Sequence, residues 1–170
     1  MIAGNTIQIA GVVKESIVDG PGLRFVVFAQ GCPHHCVGCH NPATHDFNGG
    51  YPCELEKIIN AIDKNPILSG VTFSGGEPFH QAEVFYYLAL KLKEKELNLL
   101  AFSGYTYEEL ICMGQKDEYV IKLLNLLDLL IDGRFVLEQR DLTLNFKGSR
   151  NQRFIDLNLT KETGKIVEIS

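Results

Sequence analysis

Four short apolar segments of this chain each run directly into a glycine-containing turn, and that repeated junction restricts the fold more than any other feature. Leu23–Gln30 ends at Gly31, and Gly70-Val71-Thr72-Phe73 enters Ser74-Gly75-Gly76-Glu77-Pro78. Leu97–Phe102 ends at Ser103-Gly104, and Asp128–Ile131 ends at Asp132-Gly133. Stretches with helical apolar spacing lie between them. Leu55–Asn65 carries Leu55, Ile58, Ile59 and Ile62 on one stripe and stops at Asn65-Pro66. Gln81–Lys95 sets Val84, Phe85, Leu88 and Leu92 against Lys91, Lys93, Glu94 and Lys95, and Tyr107–Met113 and Glu118–Leu127 also read as helices. Strands alternating with helices make βαβ units on a parallel sheet, with right-handed crossovers. A closed eight-unit barrel takes about 250 residues, and the 170 residues here supply four to six units. The predicted fold is α/β: an incomplete, open-sided (β/α) barrel whose functional loops sit at the C-terminal strand ends. All four glycine turns fall on that rim. Ile7–Val13 is predicted as an opening strand and Lys165–Ile169 as a closing one, with a less regular region after Phe135.

Length predicts a single domain over residues 1–170, because domains commonly hold about 100–200 residues. With 45% hydrophobic and 22% charged residues the composition is that of a globular protein. A net charge of −5 argues against a nucleic-acid-binding surface, which carries a basic face. Met1–Gln8 lacks a basic segment leading into an apolar one, and no apolar run is long enough for a membrane span, so the expected location is cytoplasmic. Five cysteines, three of them clustered, fit metal or redox use better than a disulfide framework.

The clustered cysteines, Cys32, Cys36 and Cys39, follow the first strand at the spacing C-x3-C-x2-C. Structural zinc sites close with four protein ligands, and iron–sulfur clusters are commonly held by four thiolates. Cys53 and Cys112 are isolated and read as small apolar residues. Three thiolates on one loop can therefore hold a metal centre and leave a coordination position for a substrate. Two rival readings stay open: a zinc site completed by His34, His35 or His40, and a dithiol at Cys36 and Cys39, against which the third cysteine counts. In Ser74-Gly75-Gly76-Glu77 the two glycines permit close backbone approach to a ligand; the alternative is a tight strand-to-helix turn. Arg24 lies inside an apolar strand and is expected to pair with a carboxylate, Glu77 or Asp132. His34 and His35 are expected to face solvent, and His45 and His80 to be structural.

The run Val18-Asp19-Gly20-Pro21-Gly22-Leu23-Arg24-Phe25, leading through Gln30-Gly31-Cys32 to Cys36 and then Cys39-His40-Asn41-Pro42, resembles the radical S-adenosylmethionine enzymes when taken with Ser74-Gly75-Gly76-Glu77-Pro78. The Asp-Gly-Pro-Gly and Cys-His-Asn-Pro contexts are similar to those of glycyl-radical-enzyme activases. Cys32-Pro33-His34-His35-Cys36 and Gly148-Ser149-Arg150-Asn151-Gln152-Arg153 look like the branch that activates anaerobic ribonucleoside-triphosphate reductases. The resemblance spans nearly the whole chain. It implies a 4Fe-4S cluster on Cys32, Cys36 and Cys39, whose open iron binds S-adenosylmethionine. It implies cofactor contacts at Gly38, Cys39 and His40, and at Ser74, Gly75, Gly76 and Glu77, with a further polar contact from Asp132. It implies reductive cleavage of the cofactor to a 5′-deoxyadenosyl radical, which abstracts hydrogen from a glycine on the reductase large subunit. An external electron donor such as flavodoxin is implied, and a homodimer is compatible. The alternatives carried beside it are an activase of another glycyl radical enzyme, such as pyruvate formate-lyase, and a radical enzyme acting on a small molecule. Asp19–Gly22 is either a turn or a receiver for the partner's loop, and residues 148–153 either bind partner or cofactor or form a solvated basic loop.

Overall fold

The computed structural model describes residues 5–170. Seven strands form one sheet: β1 (Thr6–Ser16), β2 (Arg24–Ala29), β3 (Tyr51–Glu54), β4 (Gly70–Gly75), β5 (Asn98–Phe102), β6 (Leu129–Asp132) and β7 (Arg153–Asp156). Their spatial order is β3-β1-β2-β4-β5-β6-β7. The central four, β2, β4, β5 and β6, run parallel. Antiparallel strands flank them, β1 and β3 on one side and β7 on the other. The sheet does not close, so the parallel strands form the open-sided half-barrel expected from the alternation of elements.

Strand alternation sorts side chains onto two faces with different neighbours. Phe25, Val27 and Ala29 of β2, Val71 and Phe73 of β4, Leu99 and Ala101 of β5 and Leu130 of β6 point to the helical side. They pack against α1 (Leu55–Asp63), α2 (Ala82–Glu94) and α4 (Glu118–Leu126), whose own buried residues are Ile58, Ile62, Phe85, Leu88, Leu92, Val120 and Leu123. Each fully buried side chain of this size contributes about 1.5–3 kcal/mol relative to exposure, so this layer is the main source of stability. The opposite face carries Arg24, Val26, Phe28, Thr72, Ser74, Leu100, Phe102 and Ile131, and among the described residues no helix covers it. A smaller cluster of Leu100, Ile131 and Phe154, flanked by Phe146 and Ile169, lies there instead. α3 (Tyr107–Met113) opens with a reciprocal capping box, Thr106 with Glu109.

Two expectations shift at the edges. The closing strand is β7, followed by α5 (Leu157–Thr163); the segment expected there, Lys165–Ile169, contributes one antiparallel bridge, Ile155 to Glu168. Strand β3 carries a proline and a glutamate beside an exposed tyrosine and gives no apolar signal, since it is an edge strand paired only to β1.

Arg24 does not pair with Glu77 or Asp132. Its guanidinium, 1% exposed, donates to Thr72 Oγ1 at 2.7 Å, to the carbonyls of Pro21, Val71 and Asn98 at 3.0–3.1 Å, and to Asn98 Oδ1 at 2.9 Å. Five acceptors on the Pro21 turn, β4 and β5, rather than a carboxylate, replace its lost hydration.

Asp128, at the entry to β6, joins three segments. It accepts from Lys93 Nζ and the Leu99 N–H at 2.8 Å and from Asn158 Nδ2 at 3.0 Å. Burial alone would raise its carboxyl, yet hydrogen bonds from Lys93, Asn158 and the Leu99 amide hold it below the usual range. A depressed folded-state value contributes stability above the unfolded value of roughly 3.9, lost as pH falls through the folded one. Asp128→Asn is expected to lower stability at pH 7 by about 1 kcal/mol and to weaken its decline below pH 4. Urea melts at pH 7 and 3.5 check this; parallel losses in both proteins would contradict it.

Among the described residues no helix is long and apolar enough to cross a membrane.

Candidate active site

The helix-free face of the sheet forms the floor of a cleft of about 700 Å³. Phe28, Ser74, Phe102 and Ile131 supply that floor, the cysteine loop and the β4 turn form one wall, and residues 141–148 stand opposite. Cys32, Cys36 and Cys39 all face this space.

The cysteine loop is built rigidly at its base. Gly31, at φ +101°, takes the chain off β2, and its N–H bonds Thr44 O at 2.7 Å while the Cys32 N–H bonds His45 O at 3.1 Å. The Gln30 side chain closes the same loop by donating to Ala43 O and Asp46 O. Cys32 is buried, which pushes its thiol upward against the opposing pull of the His34 and His35 backbone N–H groups. Cys36 and Cys39 are half-buried, and the Asn41 N–H donates to Cys39 Sγ at 3.4 Å. All five cysteines are free of disulfides.

The β4 turn lies directly on this loop. Gly75 sits at φ +90°, and a Cβ there would fall 2.6 Å from the Ala29 N and O. The Gly76 N–H bonds Ala29 O at 2.7 Å and the Glu77 N–H bonds Gly31 O at 2.9 Å. A Cβ on Gly76 would fall 2.3 Å from Gly31 O. Both glycines are thus required by backbone-to-backbone contact, Gly75 with the end of β2 and Gly76 with the start of the cysteine loop, and both line the cleft beside Ser74.

The remaining expected site residues divide. Cys39 and His40 line the cleft, the His40 ring tilted against Phe135 at 5.4 Å. Gly38 does not line it; the residue is exposed beside the cleft, where a Cβ would meet Leu137 and Phe135. The Glu77 carboxylate does not reach the cleft: it is wholly buried and taken up by His34, Ser103, Gly104 and Phe79. The Asp132 carboxylate is likewise consumed, by Arg153 and the Tyr107 N–H. His34 does not face solvent; its Nε2 is 2.7 Å from Glu77 Oε1. His45 lines the cleft, T-shaped against His35 at 5.1 Å, and its buried Nε2 has no protein partner. Residues 148–153 are solvated only in part: Arg150 is exposed, while Gln152 Oε1 accepts from Gly148 and Ser149, Asn151 bonds Arg134 O, and Arg153 is bound to Asp132 and Glu108. Asp19 lines the far end of the cleft, and its carbonyl accepts from Thr72 Oγ1.

Sequence reasoning placed Ser103 on the rim but missed the burial of His34 against Glu77, and it missed Phe135 and the Leu142–Lys147 segment as cleft lining. The signal available for His34 was its place between two cysteines; its partner lies 43 residues away and carries no spacing cue.

The donor set fits a multi-iron group. Three free cysteine sulfurs line one space, the donor type iron–sulfur groups take, and Cys53 and Cys112 lie outside the cleft. His34, a candidate fourth zinc ligand, has its Nε2 engaged by Glu77. An unpartnered His45 nitrogen in the same wall is further room for a bound group to satisfy.

Comparison with known proteins agrees. Residues 18–155 match the 4Fe-4S single cluster domain family. The anaerobic ribonucleoside-triphosphate reductase-activating protein of Vibrio cholerae is 36% identical over 144 residues, covering 80% of this chain and 89% of that one. Its Escherichia coli K12 counterpart is 33% identical, covering 80% and 90%. The pyruvate formate-lyase-activating enzyme of Clostridium pasteurianum is 35% identical over 113 residues, covering 61% of this chain and 48% of that one. With a matching family over most of its length and reductase-activating relatives covered over about nine-tenths of theirs, this chain belongs to the 4Fe-4S single cluster domain family, among the anaerobic ribonucleoside-triphosphate reductase-activating proteins.

Proposed function

We infer that this chain is a radical S-adenosylmethionine activase that generates a glycyl radical on an anaerobic ribonucleoside-triphosphate reductase. The observation that carries this reading is three free thiols sharing one cleft with a glycine turn whose backbone is pressed against their loop. Cys32, Cys36 and Cys39 would hold a 4Fe-4S cluster and leave one iron without a side chain. Bound there and given one electron by an outside donor, the cluster would supply reductive cleavage of the S-adenosylmethionine sulfonium bond, yielding methionine and a 5′-deoxyadenosyl radical.

The chain's own part is positioning and shielding. Ser74, Gly75 and Gly76 offer backbone at the cleft wall for the methionyl ammonium. His40, tilted on Phe135 at the cleft, would pack against the adenine ring. Phe28, Phe102 and Ile131 make an apolar floor that keeps water from a reactive carbon radical. The sheet's open side admits a polypeptide loop, which favours a glycine on a partner protein over a small metabolite. We read residues 1–170 as one domain working in the cytoplasm, reduced by an outside donor such as flavodoxin; a homodimer is compatible with the fold.

The test is anaerobic incubation of iron- and sulfide-loaded protein with reductant, S-adenosylmethionine and the reductase, read by electron paramagnetic resonance. A glycyl doublet dependent on all components is expected. A doublet only with pyruvate formate-lyase would redirect the partner, and deoxyadenosine formation stimulated only by a metabolite would redirect the substrate class.

Gly76→Ala is expected to weaken S-adenosylmethionine binding by about 10–100-fold, the range for outer-shell changes at metal sites. The added Cβ, 2.3 Å from Gly31 O, must part the turn from the cysteine loop. Equilibrium binding to the loaded protein checks it, and wild-type affinity would remove Gly76 from the cofactor wall.

A further inference from the structure

Glu77 is wholly buried, yet its carboxylate gathers four donors from three parts of the rim. His34 Nε2 lies at 2.7 Å, Ser103 Oγ at 2.9 and 3.0 Å from the two oxygens, the Gly104 N–H at 2.9 Å and the Phe79 N–H at 3.1 Å. Only the Phe79 contact belongs to the capping of the short helical turn at Pro78–Gln81. The others cross to different loops. A carboxylate is retained in such a place only when fixed donors replace its water.

His34 occupies the gap between Cys32 and Cys36, with its side chain 5% exposed. Its ring meets Tyr105 edge-on at 4.5 Å. Gly104 leaves the space for it: a Cβ there would stand 2.3 Å from the ring. The next residue, His35, holds φ +47°, a left-handed conformation that a non-glycine residue keeps only when its surroundings impose it. On the near side, the Gly76 and Glu77 amides already bond the start of the cysteine loop at Ala29 and Gly31. Glu77 therefore grips that loop twice, by its amide at Gly31 and by its carboxylate at His34.

We propose that His34 and Glu77 are a positioning pair that locks the Cys32–Cys36 segment to the Ser74–Gly76 turn and the end of β5. The pair sets the separation between the cluster-holding thiols and the backbone that cradles the cofactor. Glu77 thus acts through His34 and the loop, without touching the cofactor. This inference rests on the activase reading above.

The experiment compares wild type with Glu77→Gln, His34→Ala, His34→Gln and Gly104→Ala after anaerobic reconstitution. Iron and sulfide per chain, thermal unfolding of the apo chain, and the S-adenosylmethionine concentration that half-converts the spectrum of the reduced cluster are measured. Glu77→Gln and Gly104→Ala, which respectively weaken the acceptor and push the ring aside, are expected to load the cluster and need about tenfold more S-adenosylmethionine. His34→Gln, which keeps an N–H donor, should fall between wild type and His34→Ala. If His34→Ala does not fold, the other three decide. Lower melting temperatures with unchanged half-conversion would mean a merely structural role and would overturn the proposal. A wild-type protein that loads no cluster would instead sink the activase reading.

Discussion

Cys36→Ala is expected to reduce S-adenosylmethionine cleavage by more than about 100-fold, since changes outside a metal's ligand set already cost 10–100-fold. The physical reason is the absence of a substitute. Cys32 and Cys39 are the other two sulfurs on the cleft, while Cys53 lies on edge strand β3 and Cys112 is exposed on α3. His34 is committed to Glu77. A loop anchored at Gly31, Cys32 and Gln30 cannot swing a distant thiol into the gap. The same loss is expected for Cys32→Ala and Cys39→Ala, with iron content and visible absorption falling alongside. Cys53→Ala and Cys112→Ala should keep wild-type deoxyadenosine formation, measured by chromatography after anaerobic reduction. Full turnover by Cys36→Ala would overturn the ligand assignment.

The parts of this protein that could be read in advance are those whose physics is local. Short, near-continuous apolar runs in Arg24–Ala29, Gly70–Gly75 and Asn98–Phe102 announce strands because central parallel strands are buried along nearly their whole length. The cysteine spacing and the paired glycines were legible for the same reason: ligand and turn chemistry act within a few residues. What the sequence concealed is long-range pairing of polar groups. Glu77 and Asp132 look like exposed site carboxylates at strand ends, and both are consumed by partners, His34 and Arg153, that no local pattern connects to them. Strand β7 was hidden because Arg153 and Asp156 flank only two apolar residues, Phe154 and Ile155. Its identity depends on pairing with β6 rather than on its own composition.

Arg24 shows the same limit on the stability side, and its replacement is expected to have the largest effect on folding. Arg24→Met keeps the stem's bulk and removes every donor. Thr72 Oγ1, Asn98 Oδ1 and the carbonyls of Pro21, Val71 and Asn98 then lose a partner at a level where water is scarce. Burial draws the guanidinium down to about 10 with a counter-pull from Asp128, so it is charged at neutral pH and its hydrogen bonds are of the stronger, charge-assisted kind. Leaving several buried acceptors unsatisfied costs about 1–3 kcal/mol each before relaxation, and partial offset by the apolar methionine leaves a net loss of about 3–5 kcal/mol. Arg24→Lys should recover only a minor part, because an ammonium cannot span acceptors on both β4 and β5 as a planar fork does. Urea unfolding of the apo chain measures this; a midpoint within error of wild type would show that water or backbone adjustment replaces the guanidinium. At low temperature the folded fraction should still load its cluster. Arg24 lies at the N-terminal ends of the strands, in register with Gly70, while the thiols follow the C-terminal end of β2, so the damage falls at the end of the sheet remote from the chemistry at the rim.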